Sequence, residues 1–226
     1  RQVRTARRRA GSLAAPATVT LVAIIIAIYL ITVFQGAGIG TPGGSLFENG
    51  TLVGLLVGAG EWWRLVTAMF LHASVLHIAF NMFALYWLGT IVEEAIGTGR
   101  FLLVYFTAGL AGSAGALVFS SPVAVTVGAS GAIFGIMGAL LVLEYMTTGS
   151  FAGQAMGLIV INMVITFTIP NISVGGHLGG LIGGIAATYV LMRTRYTRPS
   201  WIGPALVAGI GVAAIVVAYV RVENYF

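Results

Sequence analysis

The chain has 226 residues, of which 58% are hydrophobic and only 8% are charged, with a formal net charge of +5. A soluble domain carries about a quarter charged residues, so this composition predicts a protein that lies mostly in lipid. The sequence contains no Cys, no Lys and no Asp. These absences exclude disulfides, thiolate nucleophiles, a Ser/Lys dyad, an aspartyl dyad and a Ser-His-Asp triad.

Seven stretches are predicted to be membrane-spanning helices, because about 20 mostly apolar residues cross roughly 30 Å of hydrocarbon. The predicted fold class is therefore an all-α, polytopic transmembrane helix bundle. A long connection over about 35–61 follows the first span and ends in Trp62, Trp63 and Arg64, which are typical of interfacial anchors. The seven spans are about 18–34, 72–92, 101–119, 128–145, 151–169, 174–192 and 202–220.

The arginines predict how the bundle is oriented. With the N-terminus in the cytoplasm, nine of the eleven arginines fall on the cytoplasmic side, and only Arg64 and Arg221 lie outside. The positive-inside rule therefore predicts a cytoplasmic N-terminus and an external C-terminus. We expect an Arg-rich tail over 1–17, a six-helix core over 18–192, and a linker with a seventh helix over 193–226. The basic flank also resembles a signal peptide, but the missing cleavage site favours a retained helix.

Polar side chains on three spans are predicted to meet at one depth in the outer half of the membrane. Spans 2, 4 and 6 run in the same direction, so depth can be counted from their cytoplasmic ends. At 1.5 Å per residue, His77, Ser130 and His177 lie about 24, 21 and 24 Å from those ends. Asn81 lies one helical turn from His77 on the same face. Polar groups inside a membrane are costly and indicate a functional site.

Glycines are predicted to bring spans 4 and 6 into close contact, because small residues let helix backbones approach. Gly131 and Gly135 are expected to form the facing groove on span 4, which would place His177 within hydrogen-bond reach of Ser130. Span 6 carries two stripes of glycines spaced four residues apart: Gly176, Gly180 and Gly184, and Gly175, Gly179 and Gly183.

This arrangement predicts a serine peptidase in which His177 is the general base and Ser130 the nucleophile. His77, Asn81 and Gly128 are predicted to stabilise the oxyanion. Phe134 is expected to support the base by stacking on it, because no Asp is present to orient the imidazole. Gly131 and Gly180 are the other predicted supporting residues. The histidines have no metal-binding spacing, so neither a metal nor another cofactor is expected.

Five motifs follow one another along the chain: Trp63-Arg64, His77-x-x-x-Asn81, Gly89-x-x-x-Glu93-x-x-x-Gly97, Gly128-Ala129-Ser130-Gly131 and His177-x-x-Gly180-x-x-x-Gly184. In order and spacing they resemble the rhomboid intramembrane serine proteases over about residues 18–192. The resemblance implies a six-helix core with a water-filled cavity above the nucleophile, open to the outer side. It also implies gating near span 5 and cleavage of membrane proteins near helix-destabilising residues. Phe134 stands where several members have Tyr.

Two other functions stay open at this point. A pseudoprotease of the same fold would bind membrane helices without cutting them, although this chain keeps both the nucleophile and the base. A transporter or channel would need polar residues along a complete path through the bilayer. The expected partners are lipid and membrane proteins with one or several spans, in a prokaryotic plasma membrane, and no nucleic acid.

The remaining polar residues have structural interpretations. His72 is expected to pack in a loop at the outer interface. Glu93 and Arg100 are expected to anchor the turn between spans 2 and 3 on the cytoplasmic side. Glu144 is interpreted as a charge at a helix end.

Overall fold

A computed structural model describes residues 15–36 and 38–225, so most of the predicted Arg-rich tail lies outside the described residues. Within the described ranges the named elements are all helical, and seven apolar helices occupy the seven predicted positions. The all-α fold is therefore confirmed. The helices are α1 (Pro16–Gln35), α2 (Val75–Ile96), α3 (Thr98–Phe119), α4 (Ser130–Thr148), α5 (Gln154–Thr168), α6 (Val174–Arg193) and α7 (Ile202–Glu223).

Six of these helices are long and apolar enough to cross a membrane, and α5 is shorter. Its 15 residues extend about 22 Å, less than the roughly 30 Å of a hydrocarbon core. The Glu144 carboxylate accepts hydrogen bonds from the backbone N–H groups of Gln154, at 3.1 Å, and Ala155, at 3.0 Å. Glu144 thus caps the start of α5, and the helix stops at Thr168 ahead of Pro170. That all seven helices cross the membrane stays a prediction.

The centre of the bundle is α6, which packs against both α3 and α4. Its two glycine stripes face different neighbours: the stripe of Gly180 faces α4 and the stripe of Gly175 faces α3. The expected groove between α4 and α6 is present. The two backbones approach so closely that no side chain larger than a hydrogen atom fits between them. A methyl group would collide with the facing helix at each of four crossings: Gly180 with Gly131, Gly184 with Gly135, Gly175 with Gly115, and Gly179 with Ala111.

A buried carboxylate connects three helices at the end of α2. Glu93 accepts hydrogen bonds from the backbone N–H groups of Ala17, at 3.0 Å, and Thr18, at 2.7 Å. It also accepts from the hydroxyls of Thr18 and Thr98, both at 2.8 Å. Glu93 was expected to anchor only the turn between spans 2 and 3, but it also caps the start of α1. It satisfies N–H groups that a helix N-terminus otherwise leaves without partners.

The connection between α1 and α2 folds into short helices over Gly44–Gly50, Gly54–Gly58 and Arg64–Thr67. Arg64 is buried beneath this connection, with 2% of its surface exposed. Its guanidinium donates to the carbonyl oxygens of Glu48, at 2.8 Å, and Thr51, at 2.7 Å, and pairs with the Glu61 carboxylate. The prediction of an interfacial anchor is wrong for Arg64, because the chain wraps around the side chain and uses it as an internal cross-link.

The last helix, α7, packs mainly against α3. Tyr225, just beyond the end of α7, donates a hydrogen bond from its hydroxyl to the carbonyl oxygen of Leu117 at 2.9 Å. The ring of Trp62 stacks on Tyr219 with the ring centroids 5.9 Å apart. The helix is thereby attached to both α3 and the long connection.

Candidate active site

Ser130 is the first residue of α4, and the loop before it is held by backbone hydrogen bonds to the α1–α2 connection. Leu52 and Thr126 exchange two such bonds, at 3.0 and 2.9 Å. The Gly128 N–H donates to the Ala68 carbonyl at 2.9 Å. These bonds fix the loop at two positions, so the hydroxyl of Ser130 lies at a defined helix N-terminus. The helix dipole favours negative charge there.

His77 lies in the first turn of α2 and faces the same loop. Its Nδ1 accepts a hydrogen bond from the Ala73 N–H at 3.4 Å. A neutral imidazole carries one proton, so this bond assigns the proton to Nε2. A methyl group added to Gly128 would lie 2.7 Å from that Nε2 and 3.7 Å from Ser130 Oγ. His77 therefore directs a hydrogen-bond donor toward the space beside the Ser130 hydroxyl.

Asn81 lies one turn further along α2 and is buried, with 7% of its surface exposed. Its Nδ2 donates to the His77 carbonyl at 2.8 Å. An amide nitrogen has two N–H groups, so one donor of Asn81 remains for a ligand. As predicted from the spacing of four residues, the two side chains share one face of the helix.

His177 lies in the first turn of α6, and its ring stacks on Phe134 with centroids 4.1 Å apart and planes 20° apart. The stacking expected from the sequence is therefore present. The ring also forms a hydrogen bond that the sequence analysis missed, between Nδ1 and Thr166 Oγ1 on α5 at 2.7 Å. Stacking is thus not the only interaction that holds this base. A search for intramembrane polar residues on every span would have found Thr166.

Ser130 and His177 are brought to one level by the close crossing of α4 and α6. A methyl group at Gly131, the residue after Ser130, would lie 3.3 Å from the carbonyl oxygen of Gly176, the residue before His177. In this conformation the Ser130 hydroxyl and the His177 ring do not form a hydrogen bond with each other; the ring bonds to Thr166. Such catalytic bonds are often long before substrate binds.

The role predicted for Gly128 needs correction. Gly128 was expected to help stabilise an oxyanion, but its N–H already donates to Ala68. What Gly128 contributes is space, and its φ of +125° suits a residue without a side chain. His72 was expected to pack in a loop at the outer interface, and it is fully buried in the loop before α2. Its ring lies edge-on to His77 with the ring centroids 4.9 Å apart.

Within residues 15–36 and 38–225, no group of three or more His, Asp or Glu side chains is arranged to hold an ion.

Comparison with known proteins gives matches to one family. The family model described as Rhomboid domain matches residues 59–194. The chain is 40% identical to Rhomboid protease GluP of Bacillus subtilis (strain 168), over 77% of this chain and 34% of that protein. It is 35% identical to Putative rhomboid protease YdcA of the same organism, over 63% of this chain and 73% of that one. RHOMBOID-like protein 5 of Arabidopsis thaliana is 34% identical, over 71% of this chain and 55% of that protein. The chain thus spans about a third of GluP and about half of the plant protein.

Proposed function

This chain belongs to the rhomboid family, and on that premise we propose that it is an intramembrane serine endopeptidase. Its substrates would be membrane proteins, cut within their transmembrane segments near the outer leaflet. The observation that carries the proposal is the convergence of Ser130 and the His77 Nε2–H on the space beside Gly128. A nucleophile at a helix N-terminus beside a preformed donor is suited to acyl transfer.

The reaction would proceed in two steps. His177 takes the proton of the Ser130 hydroxyl as Oγ attacks the substrate's peptide carbonyl, and it then protonates the leaving amine. Water, deprotonated by the same imidazole, hydrolyses the resulting acyl-enzyme and regenerates Ser130. The stacked Phe134 ring keeps the imidazole in one plane through both steps.

The negative charge of each tetrahedral intermediate needs hydrogen-bond donors in place before the reaction. We assign this role to the Nε2–H of His77 and to the second N–H of Asn81. The backbone N–H of Ser130 is the third donor, because the first N–H groups of a helix have no partner within that helix. Both side chains are attached to the first two turns of α2, which fixes the position of the donors.

The proposal of cleavage near the outer leaflet is supported by the position of the site along the helices. Ser130, His77 and His177 all lie in the first turns of their helices. The facing pairs Gly131–Gly180 and Gly135–Gly184 show that α4 and α6 run in the same direction. With the orientation predicted from the arginines, those ends face the outer side. The six long apolar helices and the rhomboid relatives support a multi-pass integral membrane protein. We propose a prokaryotic plasma membrane, since two of its relatives come from Bacillus subtilis.

The proposal is tested by incubating the detergent-solubilised protein with a single-span test substrate, beside Ser130→Ala, His177→Ala and Ser121→Ala variants. Ser121 is the matched control, because it is an exposed loop serine. We expect cleavage by the wild type and the control only, and fluorophosphonate labelling at Ser130. Wild-type rates in either dyad variant would overturn the dyad. Intact substrate and an unlabelled Ser130 in the wild type would instead support a pseudoprotease.

A further inference from the structure

We propose that Thr166 is a positioning residue that orients the imidazole of His177 for its role as base. In this arrangement the Thr166 hydroxyl oxygen accepts a hydrogen bond from His177 Nδ1–H and leaves Nε2 unprotonated. The inference rests on the proposed peptidase function. In it, the Thr166 hydroxyl takes the place of the Asp or Asn side chain that orients the catalytic histidine in other serine and cysteine peptidases.

The direction of the hydrogen bond follows from the other neighbour of Thr166. The Thr166 Oγ1 lies 2.7 Å from His177 Nδ1 and also 2.7 Å from the carbonyl oxygen of Asn162. A carbonyl oxygen only accepts, and a threonine hydroxyl has a single proton to donate. That proton therefore goes to Asn162, and Thr166 Oγ1 can interact with His177 only as an acceptor. The proton of this hydrogen bond belongs to His177 Nδ1.

The consequence for His177 is a defined tautomer. A neutral imidazole with its proton on Nδ1 has a lone pair on Nε2, which a general base requires. Thr166 and His177 are both buried, with 2% and 8% of their surfaces exposed, so water competes little for this hydrogen bond. Stacking on Phe134 restrains the ring plane, and the bond to Thr166 restrains rotation within that plane.

The hydrogen-bond partners of the two site histidines therefore fix the two rings in opposite tautomers. The Nδ1 of His77 accepts from a backbone N–H, which leaves its Nε2 as a donor. The Nδ1 of His177 donates to a hydroxyl, which leaves its Nε2 as an acceptor. One side-chain type thus supplies an oxyanion donor and a base, and the Thr166 hydroxyl decides which role His177 takes.

Removing the hydroxyl is expected to slow the chemical step more than substrate binding. General-base catalysis contributes about 10²–10⁴-fold, and an orienting group supplies part of this, so we expect kcat to fall about 10–100-fold in Thr166→Val. KM should stay within about twofold, because Thr166 acts through His177 rather than on the substrate. Thr166→Ser keeps the hydroxyl and should restore most of the rate.

Thr168→Val is the matched control, since it removes an exposed hydroxyl from the same helix that donates to the Val164 carbonyl at 2.8 Å. This variant should cleave at the wild-type rate. Wild-type kcat in Thr166→Val would overturn the proposal, and so would a Thr166→Ser variant as slow as Thr166→Val. If the wild type itself does not cleave, the peptidase proposal fails instead.

A second measurement does not depend on cleavage. The ¹⁵N shifts of His177 in labelled protein report which ring nitrogen carries the proton. We expect Nδ1–H in the wild type and in Thr166→Ser, and a shift toward Nε2–H in Thr166→Val. Nε2–H in the wild type would overturn the proposal even if the valine variant fails to fold.

Discussion

The two ends of α2 carry polar clusters of opposite character. At one end, the Glu93 carboxylate accepts four hydrogen bonds from α1 and α3. At the other end, His77 lies beside the loop that carries Ser130 and Asn81 lies one helical turn further along α2. The buried Oδ1 of Asn81 has no partner among the described residues. Both clusters lie on one helix in a largely apolar chain, but only the first has its hydrogen bonds completed within the protein.

The difference indicates what each cluster is for. A buried polar group without a partner costs free energy, so a cluster that serves stability completes its hydrogen bonds. A cluster that binds a reacting group must keep donors and lone pairs available until that group arrives. We therefore interpret the Glu93 end as structural and the His77 end as chemical. Four substitutions test this division, in order of decreasing expected effect.

Glu93→Ala should cause the largest loss of stability. The change removes the acceptor for four donors, two of them on Thr18, and each donor left buried without a partner costs about 1–3 kcal/mol. We expect the free energy of unfolding in detergent to fall by at least about 3 kcal/mol. Glu94→Ala is the control, because Glu94 is the next residue in the chain and is exposed. Equal stability of the two variants would show that the Glu93 cluster does not hold the helices together.

Asn81→Ala should affect the rate of cleavage far more than stability. Removing one oxyanion donor typically lowers kcat about 10²–10³-fold. Thermal unfolding in detergent should change little, because among the described residues the Asn81 side chain bonds only to the His77 carbonyl. Asn162→Ala loses an equivalent bond of 2.8 Å, to the carbonyl of Leu158, and should cleave normally. Equal rates for the two variants would remove Asn81 from the oxyanion site.

Gly180→Ala should lower stability and activity together, because α6 carries His177 and packs closely against both α3 and α4. The new methyl group meets the Gly131 backbone, which cannot move aside as a flexible side chain would. Such overpacking costs about 1–3 kcal/mol, and here it also separates His177 from Ser130. Gly209→Ala on α7 is the control, since nothing lies within 4 Å of the added methyl group. Normal cleavage by a destabilised Gly180→Ala variant would show that catalysis does not need the close packing of α4 against α6.

Phe134→Leu should have the smallest effect. The substitution keeps an apolar residue but removes the ring that stacks on His177, an interaction worth about 0.5–1.5 kcal/mol. We expect a decrease of a few-fold in kcat, measured with the same substrate. Phe80→Leu replaces an exposed ring elsewhere and should leave kcat unchanged. A normal kcat in Phe134→Leu would mean that Thr166 alone suffices to hold the imidazole.

The positions of the helices were predictable because hydropathy depends on local sequence, and lipid requires continuous apolar stretches. The glycine contact between α4 and α6 was predictable for a related reason, since a repeat of four residues places small side chains on one face. The start of α5 was less predictable. It depends on Glu144, ten residues before the first N–H that it caps.

The sequence alone determined the class of the protein, the chemical groups available to it and the helices that carry Ser130 and His177. The tertiary structure decided how those groups are used: Thr166 bonds to His177, Gly128 donates to Ala68, and Arg64 is buried. Each of these outcomes depends on how a helix is rotated or how a connection folds back over the bundle. Hydropathy and residue spacing place a side chain along its own helix, but its hydrogen-bond partner is selected only when the helices pack.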